Sequence, residues 1–217
     1  MRKFLFSLLA VLPLLVACTS DDSEESKSPY TFLCADFVEA HTIAPTEIDR
    51  ATNDEGVLLK LSPHVKVSWA LTPDSLYRAL LYYNKVESLD GTIVPITLAR
   101  VPVLRAKEAS EFEDGVKTDP VKLESAWLSK GNAYLNLGLL LKTGVADDSD
   151  AVQSVGMVLV SETATEVVLQ LYHDQGGVPQ YYSSRSYVSI PLSSDRQQKT
   201  VRLLINTYDG EREKTFN

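Results

Sequence analysis

Apolar and polar side chains alternate with a period of two along most of this chain, in runs rich in Val, Ile, Leu and Tyr that are broken by Gly, Asp, Asn and Pro. That period is the signature of half-buried β-strands, whose successive side chains point to opposite faces. A first group of strands is predicted near 31–42, 46–52, 57–62, 76–86 and 94–105. A turn at Asn53-Asp54-Glu55-Gly56 separates two of them, and Leu89-Asp90-Gly91 marks another, since Asp and Gly tolerate the positive φ of tight hairpins. Residues 106–120 break the rhythm with charge, Gly and Pro and predict a linker between domains. A second group follows near 121–129, 132–142, 153–161, 165–173, 180–192, 199–207 and 211–216. The odd positions of Leu135-Asn136-Leu137-Gly138-Leu139-Leu140-Leu141 form one apolar face, and Val201, Leu203 and Ile205 form another. About seven such strands predict an antiparallel two-layer β-sandwich, and the five ahead of them match the count of a small OB-like barrel. The expected fold is therefore all-β, with an OB-like five-stranded barrel over 30–105 and a seven-stranded antiparallel sandwich over 121–217.

Residues 1–29 obey a different rule. Arg2 and Lys3 precede an apolar stretch from Phe4 to Val16, and Leu15-Val16-Ala17-Cys18 has the form of a bacterial lipoprotein lipobox. The stretch is shorter than the roughly 20 residues a helix needs to cross a bilayer, so 1–17 is expected to be a cleaved export signal. Cleavage would leave Cys18 to carry three acyl chains, a permanent membrane anchor at roughly 0.8 kcal/mol per buried CH₂. Residues 18–29 hold no large apolar side chain beyond the cysteine and predict a flexible acidic tether. The run also resembles the acidic stretch that sends some lipoproteins of gut and oral anaerobes to the outer face of the outer membrane; its other reading is a plain solvated spacer. The expected location is the outer membrane.

Charge narrows the partners. Without Arg2 and Lys3, 19 basic residues face 29 acidic ones, a formal charge of −10. Such a balance repels phosphate backbones, so no nucleic-acid partner is expected. With Cys18 acylated, only Cys34 remains; no intramolecular disulfide can form, and Phe32-Leu33-Cys34-Ala35 predicts a small core residue at Cys34.

Catalytic and metal signals are sparse. His41, His64 and His173 show none of the spacings of recurrent metal sites. Asp147, Asp148 and Asp150 lack the ligand spacing of an EF-hand and suit a solvated hairpin tip. No Gly-x-Ser-x-Gly elbow is present. No enzyme, metal or cofactor is expected. Trp127 is expected in the sandwich core. Tyr181, Tyr182 and Tyr187, and Trp69 with Tyr82, could form aromatic platforms for sugars or act as cross-strand packing.

Thr118-Asp119-Pro120, Ser125-Ala126-Trp127-Leu128, Tyr134-Leu135-Asn136-Leu137 and Leu169-Gln170-Leu171-Tyr172-His173-Asp174 together resemble the NigD-like lipoproteins. The resemblance is strongest from Lys117 to Asp174. It implies an acylated leader, an N-terminal OB-like domain and a C-terminal β-sandwich, and a role in bacteriocin immunity has been supposed for the family. It supplies no catalytic residues. The expected function is a lipid-anchored, non-enzymatic binding module that recognises a protein at the cell surface; the alternative is a glycan-binding accessory lipoprotein.

Overall fold

A computed structural model describes residues 33–84, 90–145 and 150–217. The predicted leader, Cys18 and the tether lie outside the described residues, as do Leu89, Asp147 and Asp148. No helix among the described residues is long and apolar enough to cross a membrane.

Strands β1 (Leu33–Ala44), β2 (Glu47–Asn53), β3 (Leu58–Lys66), β4 (Leu76–Asn84) and β5 (Thr92–Arg100) close into a barrel in the order β1-β2-β3-β5-β4. Closure depends on β1, which pairs with β4 from Leu33↔Asn84 to His41↔Leu76 and with β2 from Val38↔Asn53 onward. Register shifts on either side of Thr42 let this long strand bend around the barrel. A short parallel pairing, Lys60↔Thr92 and Leu61↔Ile93, completes the ring. The predicted turn at 53–56 forms as an Asx turn: Asn53 Oδ1 accepts from Glu55 N–H at 3.1 Å and from Val57 N–H at 2.9 Å, and Gly56 takes a φ of +81°. Val38, Ala40, Ile48, Leu61, Leu81 and Leu98 fill the interior, with Cys34 partly buried against them.

The second half is a two-layer sandwich. One sheet has the order β13-β12-β10-β9-β6 and the other β11-β8-β7, built from β6 (Ala106–Glu108), β7 (Lys122–Leu128), β8 (Tyr134–Thr143), β9 (Ser154–Glu162), β10 (Glu166–Asp174), β11 (Tyr182–Pro191), β12 (Thr200–Thr207) and β13 (Gly210–Phe216). The predicted alternations meet in its core, where Leu135, Leu137 and Leu139 join Leu169, Leu203 and Ile205 in one buried cluster.

Three features differ from expectation. The segment read as linker supplies an eighth strand, β6, which pairs parallel with β9, and a bridge from Thr118 to His173 ties the rest of it to β10. The β10–β12 pairing is parallel, because the chain between them crosses to the small sheet, makes β11 and returns in its original direction. Trp127 is not in the sandwich core: Ala126 faces inward, 9% exposed, and Trp127 projects from the other side of β7 onto Phe37 of the barrel, with ring centroids 5.2 Å apart.

Candidate functional site

The outer face of the small sheet should be solvated by alternation alone, yet Asn136 and Ser189, cross-strand partners on β8 and β11, are fully buried. The barrel lies over them. Its contribution is Arg78 on β4, whose side chain is only 2% exposed. Arg78 grips Asp54 with two nitrogens, Nη1 to Oδ1 at 2.7 Å and Nη2 to Oδ2 at 2.8 Å. It also donates from Nη2 to Asn136 Oδ1 at 3.0 Å and from Nε to Ser189 Oγ at 3.1 Å. Ser189 Oγ donates to Asn136 Oδ1 at 2.7 Å, and Asn136 Nδ2 donates to Asp54 Oδ2 at 2.9 Å.

Aromatic rings enclose this knot. The guanidinium carbon lies 4.1 Å from the Tyr134 ring centroid and 5.4 Å from that of Phe37, so the cation sits over two π faces. Phe37 in turn meets Trp127 and Tyr187 edge-on. Tyr134 donates its hydroxyl to Glu39 of the barrel at 2.7 Å; burial and then that carboxylate push its pKa up to about 12. Two backbone links run alongside: Lys130 N–H donates to Asp54 O, and Val101 N–H to Arg78 O. A buried ion pair offsets its desolvation only when its remaining bonding capacity is met, and here each partner is bonded several times over. The knot's bonds are spent within it, which suits holding two domains in one orientation.

A second charged cluster lies at one end of the barrel. His41 Nδ1 is 2.8 Å from Asp49 and its Nε2 is 3.0 Å from Asp74, so one imidazole bridges β2 and the loop before β4. Hydrogen bonding to Asp49, then to Asp74, raises the His41 pKa above 6.5. Burial raises the Asp49 carboxyl, but bonding to His41 and the nearby Arg50 outweigh it and leave the pKa lowered. Thr42 Oγ1 anchors the same loop by donating to Thr72 O at 2.7 Å.

The predicted platform residues divide between exposed and packed positions. Tyr181 and Tyr182 are exposed, at 78% and 55%, but Tyr187 is half-buried against Phe37 and Trp69 packs edge-on to Tyr77, 5.8 Å between centroids. Tyr82 is half-buried and lies with Tyr187 near Arg185. Bonding to Glu124 of β7, at 3.0 Å from Nη2 to Oε1, is the main cause raising the Arg185 pKa, and the two tyrosines add to it. The histidines stay apart: His64 bonds Glu47 at 2.7 Å, and His173, 1% exposed, bonds Asp119 O and Gln153. The Asp119 carbonyl can only accept, so His173 donates to it from Nδ1. Among the described residues no group of three or more His, Cys, Asp or Glu could hold a metal.

Sequence reasoning missed the knot. Its signal was a single cation within Leu76-Tyr77-Arg78-Ala79-Leu80-Leu81 and a single amide within the apolar run 135–141. An open cleft of about 470 Å³ at the sandwich end, lined by Val121, Lys122, Leu123, Tyr208 and Arg212 among others, was also unforeseen.

Comparison with known proteins bears on both halves. The family model of the NigD-like C-terminal beta sandwich domain matches residues 102–217. A NigD-like immunity protein from Bacteroides caccae is 26% identical, with a TM-score of 0.63 over 83% of this chain and 91% of that one. A Bacteroides vulgatus protein of unknown function has a TM-score of 0.65 at 18% identity, covering 85% of this chain and 90% of its own. A candidate lipoprotein from Bacteroides fragilis follows at 0.56 and 12%, covering 85% and 96%. The last two share the fold alone. No curated protein matches the chain.

Proposed function

This chain belongs to the NigD-like family, and from that membership we propose that it is a non-enzymatic binding protein of the cell envelope, anchored through acylated Cys18 in the outer membrane, that protects its host against a bacteriocin. The observation that carries the reading is the likeness to the Bacteroides caccae immunity protein across barrel and sandwich together. A binding role also agrees with the junction, where Arg78, Asp54, Asn136 and Tyr134 spend their polar atoms on one another and keep two domains as one body. The glycan reading has less support, because Tyr187 and Trp69 bury ring surface against Phe37 and Tyr77.

The test is a deletion strain challenged with a bacteriocin panel. Deletion is expected to sensitise the host to a cognate toxin, and the native gene to restore protection. A Cys18→Ala variant is expected to restore little, with mass spectrometry showing the loss of the acylated N-terminus. Unchanged sensitivity across the panel would count against immunity.

A further inference from the structure

The edge of a β-sheet is a row of unpaired backbone groups, and folded proteins blunt it with charge, proline, brevity or cover. Three edges of this sandwich follow that rule. β13 carries Glu211, Arg212, Glu213 and Lys214; β6 is three residues long; and β7 is met by Lys214, whose Nζ donates to Ala126 O at 3.0 Å.

The edge at β11 departs from it. Its C-terminal half is covered by the interdomain segment: Ser189 N–H donates to Pro102 O at 3.0 Å, and Ser189 O accepts from Leu104 N–H at 2.9 Å. Ser189 therefore directs its backbone groups away from β8. Because the β11–β8 register is unbroken from Tyr182 to Pro191, the backbone groups of Tyr187, Arg185 and Ser183 point the same way. Among the described residues no strand pairs with this stretch. Tyr182 to Arg185 are exposed, and no Lys, Pro or Glu guards them. The one charge, Arg185, is turned across the sheet face onto Glu124 and so leaves the edge open.

We infer that the outer edge of β11 from Tyr182 to Ser186 is a docking edge for an extended, cationic segment of a partner polypeptide, which would add a strand to the small sheet; this rests on the reading of the protein as a binding module. Backbone groups along such an edge supply affinity, and flanking side chains supply selectivity. The cationic preference follows from two observations. Tyr181 and Tyr182 stand exposed at the start of the edge and offer π faces to Lys or Arg. Without the leader the chain holds 29 acidic residues against 19 basic ones, which attracts a cationic partner and opposes pairing with a second copy.

Fluorescent nine-residue peptides of alternating Val and Lys, or Val and Glu, are the probes. The Lys peptide is expected to bind the purified protein, to protect the amides of Ser183, Arg185 and Tyr187 from hydrogen exchange, and to bind far more tightly than the Glu peptide. Ser183→Pro removes an outward N–H while leaving the bonds to β8, and is expected to weaken binding about tenfold or more with the melting temperature unchanged. Tyr182→Ser, which leaves the backbone intact, is expected to weaken it several-fold. Equal binding by Ser183→Pro, protection elsewhere, or no binding of the Lys peptide overturns the inference; so does a native dimer that Ser183→Pro dissolves, which would make a second copy the occupant. In the bacteriocin assay, full protection by Ser183→Pro overturns the edge alone, whereas an insensitive deletion strain overturns the immunity reading alone.

Discussion

The half of the small sheet around Asn136 and Ser189 is buried on both sides, by opposite chemistries. Toward the larger sheet it presents Leu135, Leu137, Leu139, Val188 and Ile190, all within the apolar cluster. Toward the barrel it presents Tyr134, Asn136, Ser189 and Tyr187, together with Gly138, whose missing side chain makes room for the Tyr187 ring. Apolar burial contributes roughly 25 cal/mol per Å² in any orientation and tolerates repacking. A knot of charge-assisted hydrogen bonds is satisfied in one arrangement only. The inner face thus supplies the sandwich's stability, and the outer face sets where the barrel sits.

The largest expected effect comes from putting the outer chemistry on the inner face. Leu137→Asn removes core packing worth about 2–5 kcal/mol and strands an amide at a further 1–3 kcal/mol or so, and is expected to cost about 5 kcal/mol in urea unfolding. A loss below about 2 kcal/mol would show that the two faces do not differ in kind. Removing the cation from the outer face ranks next. Arg78→Ala leaves a partly buried Asp54 without its counter-ion and is expected to cost about 3 kcal/mol. The sharper form replaces Arg78, Asp54 and Asn136 together with apolar residues of similar size, which is expected to recover most of that stability while spin-label distances between barrel and sandwich broaden.

A smaller effect is expected within the outer face itself, where Gly138 lies between its cross-strand neighbours Ser125 and Tyr187. A Cβ on Gly138 would stand 2.5 Å from Ser125 Oγ and 3.2 Å from the Tyr187 ring. Gly138→Ala is expected to cost about 1–3 kcal/mol, partly restored by Ser125→Ala in the same chain. Smallest is the bridge at His41, which ties β1 to β2 and to the loop before β4 within the barrel. Its pKa is raised above 6.5 in the folded state, so the stability it contributes is full below about pH 6.5 and is lost as pH rises through the folded value. The melting temperature of the native protein is expected to exceed that of His41→Asn most at pH 5.5–6 and to converge with it in mildly alkaline buffer; a gap that grows with pH would reverse the assignment.

Alternation made the inner face readable in advance, because Leu135, Leu137 and Leu139 match Val201, Leu203 and Ile205 in period and in partner. The barrel strands were readable for the same reason, and the predicted 46–52 and 76–86 lie within two residues of β2 and β4 at each end. Ala106-Lys107-Glu108 was not, since three residues are too few to show a period and β6 is fixed by its pairing with β9. The knot was hidden for a deeper reason. Period two says which residues share a face but not whether a second layer covers that face, so Trp127 reads as core and nothing singles out Asn136, although both belong to the junction. A lone Arg78 among apolar neighbours marks such a layer only once its partner Asp54, 24 residues away, is in place.

Calorimetry of the native protein beside Arg78→Ala tests the claim that the outer-face knot makes two domains one body. One cooperative transition, with calorimetric and van't Hoff enthalpies equal, is expected for the native chain, and two separated transitions for Arg78→Ala. Two transitions in the native protein, or a single unsplit one in the variant, would contradict it.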